Sequence, residues 1–207
     1  RLSQSIPFVL SNRAISSPEF IGDFVDFDNV GGMMKLANHV ISLGHRRIAM
    51  INGPLFLSTA SERENGFRRS MAAAGLEVQE KYIFNAERSF NSNDGYQAAA
   101  KLFAQDAPPT AIVATNNETA LGCMQYCRAN GIRIPEDVSL CCFGDIPNAE
   151  LLYVNITHTS TDLYSVGSRI ADLIIDRMKK KNSGMTNREL RFDVPLVVCE
   201  STVAPNQ

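Results

Sequence analysis

Tryptophan is absent from these 207 residues and aromatics make up only 8% of them, so any stacking surface must come from a few phenylalanines and tyrosines. No apolar run approaches the roughly 20 residues that a membrane-crossing helix needs. The opening stretch R-L-S-Q-S-I-P-F lacks the basic-then-apolar pattern of a secretion signal, as a processed chain also would. Strong charge of either sign is missing too: the formal net charge is −2, which gives no general attraction to nucleic acid. Lys179-Lys180-Lys181 is the one basic run of three, and it falls where a helix is expected to end, so it complements the helix dipole.

Catalytic signatures are also lacking. There is no G-x-S-x-G elbow, P-loop, G-x-G-x-x-G or H-E-x-x-H. The three histidines fall mid-helix (His39), after a helix stop (His45) and inside a strand (His158), where structural roles are expected. No paired carboxylates stand at strand ends, and Asp145 would be the only reasonable catalytic acid. An enzyme is therefore not expected, nor is a cofactor or a metal. Five cysteines is an odd number without the paired spacing of a zinc site, so buried free thiols in a reducing, cytoplasmic compartment are expected.

What is present is a repeated pattern of apolar strand, polar loop, capped amphipathic helix and glycine stop. Pro7–Leu10 reads as a strand and Phe24–Phe27 as a short second one. Asp28 or Asn29 can cap a helix over Gly31–Leu43, whose Met33, Leu36, Ala37, Val40 and Ile41 recur at helical spacing before Gly44. The strand Arg47–Ile51 ends at Asn52-Gly53-Pro54. Ser61 with Glu64 forms a capping box for a helix running to Ala74 and Gly75. Tyr82–Phe84 is a short strand, and Asn93 or Asp94 caps a helix through Phe103, stopped by Pro108-Pro109. The strand Ala111–Thr115 leads to a helix over Glu118–Asn130 and Gly131. Next, Val138–Phe143 is apolar except for Ser139, which suits a strand covered on both faces. A helical turn is expected at Asn148–Leu152 and a strand at Ile156–Thr159. Asp162 then caps the longest helix, with Leu163, Val166, Ile170, Ile174 and Met178 on one stripe and a stop at Asn182–Gly184. Phe192–Cys199 reads as a single final strand, and Ser201–Gln207 as a polar tail.

This repetition is the mark of an α/β fold with doubly wound parallel sheets. Residues 30–158 and 191–207 supply a nearly complete lobe. Residues 1–29 and 159–190 supply part of a second, N-terminal lobe, whose long helix needs more sheet than these segments offer. The chain is therefore expected to be a fragment.

Open α/β sheets place ligands at the carboxyl ends of their strands. The polar residues found there are Asn12, Asn52, Ser58 to Ser61, Phe90 in its polar loop, Asn116 and Asn117, Asp145 and Thr161. All carboxyl ends of a parallel sheet share an edge, so the set is expected to converge. Amides and hydroxyls with one aromatic suit a neutral polyhydroxyl or heterocyclic ligand, with Phe90 stacking on its apolar face. Plainer roles compete: Asn116 and Asn117 could cap the next helix, the capping box accounts for Ser61, Asp145 could cap a turn and Phe90 could fill a core gap.

Several stretches together resemble the effector-binding core of the lactose/galactose-repressor family of bacterial transcription regulators. They are I-P-F-V-L-S-N-R (6–13), D-N-V-G-G (28–32), L-G-H-R-R-I-A-M-I-N-G-P (43–54), R-E-N-G-F (63–67), G-Y-Q-A-A (95–99), P-P-T-A-I-V-A-T-N-N-E-T-A-L-G (108–122), I-P-E-D-V-S-L-C-C-F-G-D-I-P (134–147) and V-V-C-E-S-T (197–202). The resemblance implies a periplasmic-binding-protein type of fold, with a small sugar-like effector held between two lobes. It also implies a homodimer that reads operator DNA through a helix-turn-helix domain outside this chain, with no membrane association. It puts ligand contacts at Asn12, Thr59, Ser61, Phe90 and Asn116; Arg63 matches the motif arginine and is read as structural. Three positions depart from the family pattern. Gly144 stands where the family has its ligand aspartate, leaving only Asp145. The loop Leu57–Ser61 has no arginine, and Thr161 stands where many members have glutamine. Either the ligand differs from an ordinary pyranose, or Asp145 takes the missing role. The competing function is a periplasmic sugar-binding protein of a transport system.

Overall fold

The computed structural model describes residues 6–14, 20–179 and 186–206, and these form two compact units. Unit 1 comprises 1–28 and 161–194, and unit 2 comprises 29–160 and 195–207. The fold class is as expected, mixed α/β with parallel sheets.

Unit 1 holds a three-stranded parallel sheet in the order β1 (Val9–Ser11), β2 (Asp23–Phe27), β8 (Glu189–Phe192). The long helix α5 (Leu163–Lys179) buries Val166, Leu173 and Arg177, with Ile170 half-buried on the same line. That line corrects the expected stripe, since Leu163 and Met178 at its two ends are 67% and 63% exposed. An arginine in the buried line is possible because Asp23 of β2 neutralises it. Arg177 Nη2 and Nε reach the two carboxylate oxygens of Asp23 at 2.6 and 2.9 Å, and Arg188 Nη2 adds a third charged contact at 2.8 Å. Burial alone would raise the Asp23 carboxyl, but the hydrogen bonds from Arg177 and Arg188 outweigh it and hold the group well below the usual carboxylate range. The expected helix stop at Asn182–Gly184 lies outside the described residues, as do Pro18, Lys180 and Lys181.

Unit 2 is a six-stranded sheet in the order β4 (Ile83–Asn85), β3 (Ile48–Asn52), β5 (Ala111–Ala114), β6 (Ser139–Phe143), β7 (Thr157–Thr159), β9 (Leu196–Val197). All its pairings are parallel except the last, β7 with β9. Every residue of β3, β5 and β6 is buried, as a sheet covered on both faces requires. One face (Ala49, Ile51, Ile112, Ala114, Leu140, Cys142) packs under α3 (Ser92–Phe103) and α4 (Asn117–Ala129). The opposite face lies under α1 (Asn29–Ser42) and α2 (Ser58–Ala73).

Gly44, Gly75 and Gly131 follow α1, α2 and α4 with φ of +101°, +67° and +68°, so the three glycine stops are left-handed caps. Two other expectations are corrected. The stretch Phe192–Cys199 is divided: β8 ends at Phe192 in unit 1, and after Asp193 and Val194 the chain enters the sheet of unit 2 as β9. Pro195 at the break has no N–H to offer a ladder. The polar tail is also partly inside, because Ser201 and Thr202 are buried and their hydroxyls complete neighbouring strands. Ser201 Oγ donates to Leu140 O at 2.6 Å and accepts from Thr157 N at 2.8 Å.

Four of the five free cysteines are buried and Cys199 is partly exposed. His45, fully buried, bridges Thr110, Ser139 and the Val203 carbonyl, while His39 pairs with Thr202. Among the described residues no helix is long and apolar enough to cross a membrane, and no group of acidic, histidine or cysteine side chains could hold a metal ion.

Candidate functional site

The carboxyl edge of the six-stranded sheet carries a cluster of buried polar groups, Asn52 and Thr115 among them. Extending the register by one residue sets Asn52, Thr115 and Phe143 side by side across β3, β5 and β6, on the face turned to α1 and α2. Arg63, from the second turn of α2, lies over this row. Its guanidinium carbon sits 3.8 Å from the Phe143 ring centre, Nη1 donates to Thr115 O at 2.5 Å and Nε donates to Asn29 Oδ1 at 2.9 Å. One cation thus ties the ends of β5 and β6 to the start of α1, which is the structural role expected for Arg63.

Asn52 is fully buried, and its Nδ2 donates to Ala60 O at 3.2 Å and to Asn85 Oδ1 at 3.0 Å. Its Oδ1 and the hydroxyl of Thr115 are buried without a hydrogen-bond partner among the described residues. Buried polar atoms are ordinarily satisfied. This edge therefore holds polar capacity that the fold itself does not use.

The expected site residues fall into two groups. Asn12 and Thr161 belong to unit 1, while Thr59, Ser61, Phe90, Asn116 and Asp145 belong to unit 2. Convergence along one edge therefore holds only within each sheet, because β1 and the other strands are in different sheets. Asn12 follows β1 at φ +63°, a left-handed conformation that asparagine tolerates, and its N–H donates to Val25 O. Thr161 is half-buried just before α5, and its carbonyl accepts from Leu163 N at 2.9 Å.

Within unit 2, Thr59 is buried and Ser61 exposed. The capping box is overturned. Helix α2 begins at Ser58, one residue after Leu57, so Ser61 lies inside the first turn and its hydroxyl donates to Ser58 O at 3.1 Å. A turn closed by Leu57 N on Pro54 O starts the helix earlier than the box would. Likewise α3 is capped by Asn91 rather than Asn93 or Asp94, with Oδ1 accepting from Asp94 N at 2.8 Å. Asn116 is the cap of α4: its Oδ1 accepts from Thr119 N at 3.0 Å and from Thr119 Oγ1 at 2.6 Å. Its Nδ2 has no part in that cap.

Phe90 is half-buried, in the loop between β4 and α3, and packs on Gly53 after β3. Asp145 is 46% exposed, and its Oδ1 lies 3.5 Å from His158 Nε2, an ion pair when the ring is protonated. His158 Nδ1–H donates to Ile156 O at 2.8 Å, which aims Nε2 at the carboxylate. The Asp145 carbonyl accepts from Asn117 Nδ2 at 3.3 Å, linking the ends of β5 and β6. Gly144 adopts φ +88°, its N–H donates to Thr159 Oγ1 at 2.9 Å, and nothing stands within 4 Å of where a Cβ would point. An aspartate there would meet open space but a strained backbone.

Sequence reasoning passed over Asn85, Thr115, His158, Thr159 and Gly53 as members of this edge. Only tertiary pairing brings them in, although N-G-P was a visible strand stop.

This arrangement accompanies clear likeness to known proteins. Residues 37–202 match the family model described as a periplasmic binding protein-like domain. The chain is 34% identical over 174 residues to the HTH-type transcriptional regulator AglR of Rhizobium meliloti (strain 1021), covering 83% of this chain and 48% of that protein. It is 31% identical over 198 residues to the HTH-type transcriptional regulator CelR of Thermobifida fusca, covering 95% and 56%. A solved structure of a transcriptional regulator CelR–cellobiose complex superposes with a TM-score of 0.85 at 30% identity, covering 94% of this chain and 58% of that one. The chain spans about half the length of the curated relatives it matches. It belongs to the periplasmic-binding-protein-like domain family, in the form carried by transcription regulators of the lactose/galactose-repressor type.

Proposed function

We propose that this chain is the effector-binding and dimerisation core of a ligand-responsive, cytoplasmic transcriptional repressor. It would take a small sugar-like metabolite at the carboxyl edge of its sheets and act on operator DNA through a helix-turn-helix domain outside these residues. The observation that carries the reading is the edge of unit 2. There the amide of Asn116, the hydroxyl-bearing start of α2 and the Phe90 ring supply polar groups and an apolar face suited to a neutral ligand. The matched relatives are transcriptional regulators, which favours this reading over a transport binding protein and over an enzyme. One solved relative carries cellobiose, which supports a sugar as the class to test first.

In this reading Asn12, Thr59, Ser61, Phe90, Asn116, Asp145 and Thr161 contact ligand. The two units, residues 1–28 with 161–194 and residues 29–160 with 195–207, act as the two lobes. The ligand acts by preferring one conformation and shifting the population that the DNA-binding domains sample. Homodimerisation would present two such domains to a palindromic site. Leu151 and Tyr153, 79% and 51% exposed, offer a second copy an apolar surface.

The test is calorimetry against a panel that includes cellobiose, ribose and purine nucleosides. Phe90→Ala and Asn116→Ala are each expected to weaken the panel's tightest binder by about tenfold, the worth of one stacking or hydrogen-bonding contact. Unchanged affinity in both variants would remove the site from this edge.

A further inference from the structure

Gly53 is not a glycine for its backbone, since its φ is not among the positive ones. Its identity has another cause. A Cβ built on Gly53 would lie closer than 3.0 Å to three ring carbons of Phe90, namely Cζ, Cε1 and Cε2. The three approaches are nearly equal, and points equidistant from three atoms of a hexagon lie on the axis through its centre. The Cβ would therefore point into the face of the ring, not at its rim. Phe90 lies flat on the Gly53 backbone, which only a residue without a side chain permits.

The chain on either side of the ring is pinned. Ala86 N donates to Asn52 O at 2.9 Å, fixing the loop's start beside Gly53. On the other side Asn91 Nδ2 donates to Ser89 Oγ at 2.6 Å and Ser89 Oγ donates to Asp94 Oδ2 at 3.0 Å, while Asn91 also caps α3. Phe90 is thus held between two anchored neighbours and pressed on one face against main chain.

We infer that Gly53 is a positioning residue for ligand binding: it seats Phe90 so that one ring face is spent on the backbone and the other is held ready, pre-organised, for the apolar face of a ring-shaped ligand. The inference rests on the reading of this edge as the effector site. A ring already held in place loses little conformational freedom on binding, so the seat contributes affinity without touching ligand. The ligand class that profits is one with a flat apolar face, such as a pyranose or a purine, rather than an open-chain polyol.

Two measurements on the intact protein test it. By NMR, the Gly53 α-protons are expected to be shifted upfield by the Phe90 ring current, with the shift lost in Phe90→Leu; normal positions in the wild type would overturn the seat without any ligand. In calorimetry with the tightest panel member, Gly53→Ala is expected to weaken binding by about tenfold, comparable to removing a stacking contact. In a Phe90→Leu background, where the added methyl meets no ring, Gly53→Ala is expected to change affinity less than twofold. The double variant also relieves the clash and reports on folding. An equal loss in both backgrounds, or none in either, would overturn the positioning role. If Phe90→Leu itself leaves every panel affinity unchanged, or nothing in the panel binds, the effector-site reading falls instead.

Discussion

Replacing Asp23 by asparagine keeps the size and shape of the side chain but removes the charge that two arginines share. Asp23 and Arg177 are both fully buried, and Arg188 is 30% exposed. Asp23 accepts two charged contacts from Arg177, one short contact from Arg188 Nη2, and the Arg188 backbone N–H at 2.9 Å. The variant would leave a buried guanidinium without a counter-charge and turn an amide N–H toward it. Breaking a buried pair on one side costs about 3–5 kcal/mol, and that loss is expected at pH 7 in urea unfolding followed by circular dichroism. The pH dependence follows from the sign of the shift. The folded-state carboxyl is held below its unfolded value of about 3.9, so its stabilisation is complete above that pH and is lost as pH falls toward the folded value. The gap between wild type and Asp23→Asn should therefore be constant from pH 7 to about 5, then narrow by roughly 1.4 kcal/mol per unit below pH 4. A loss under about 1 kcal/mol at pH 7, or a gap that does not narrow by pH 3, would refute the account of this cluster as a buried, net-stabilising ion group.

Arg63→Lys keeps a positive charge but not the planar fork over Phe143, and should cost about 2 kcal/mol in chemical denaturation, given the usual worth of a hydrogen bond from a charged donor. No measurable loss would mean that the Thr115 and Asn29 contacts are incidental. If the proposed homodimer forms through the exposed Leu151 and Tyr153, Leu151→Asp places a carboxylate in that contact, and light scattering should show a lower apparent mass than wild type at equal concentration; an unchanged mass would refute this choice of interface. Burial pushes the thiols of Cys141, Cys142 and Cys199 up, and in Cys123 the hydrogen bond with Cys127 does so first, with burial adding to it. Ellman's reagent at pH 8 should therefore find at most one rapidly reacting thiol in the native protein, at the partly exposed Cys199, and all five after denaturation. Two or more fast thiols would show that the sheet of unit 2 opens readily.

The sequence by itself determined the elements and their class. Helical spacing, glycine after a helix and an unbroken apolar strand are local signals, each written within a dozen residues. That is why α1, the three left-handed glycine stops and the buried strands β3, β5 and β6 were legible, and why the family motifs in them were too. Tertiary structure decided what depends on residues far apart. Whether Phe192–Cys199 is one strand or two is set by which sheets its halves can join, and an apolar run reads the same either way. The capping box of Ser61 lost to a turn that closes on Pro54. Asn12 and Asn116 look alike at their strand ends, yet they stand in different sheets. The clamp of Asp23 by Arg177 and Arg188 joins residues more than 150 apart, and no periodicity points to it. Gly53 read as a strand stop. Only packing, which folds the Phe90 loop back across the end of β3, shows that its missing side chain makes room for a ring.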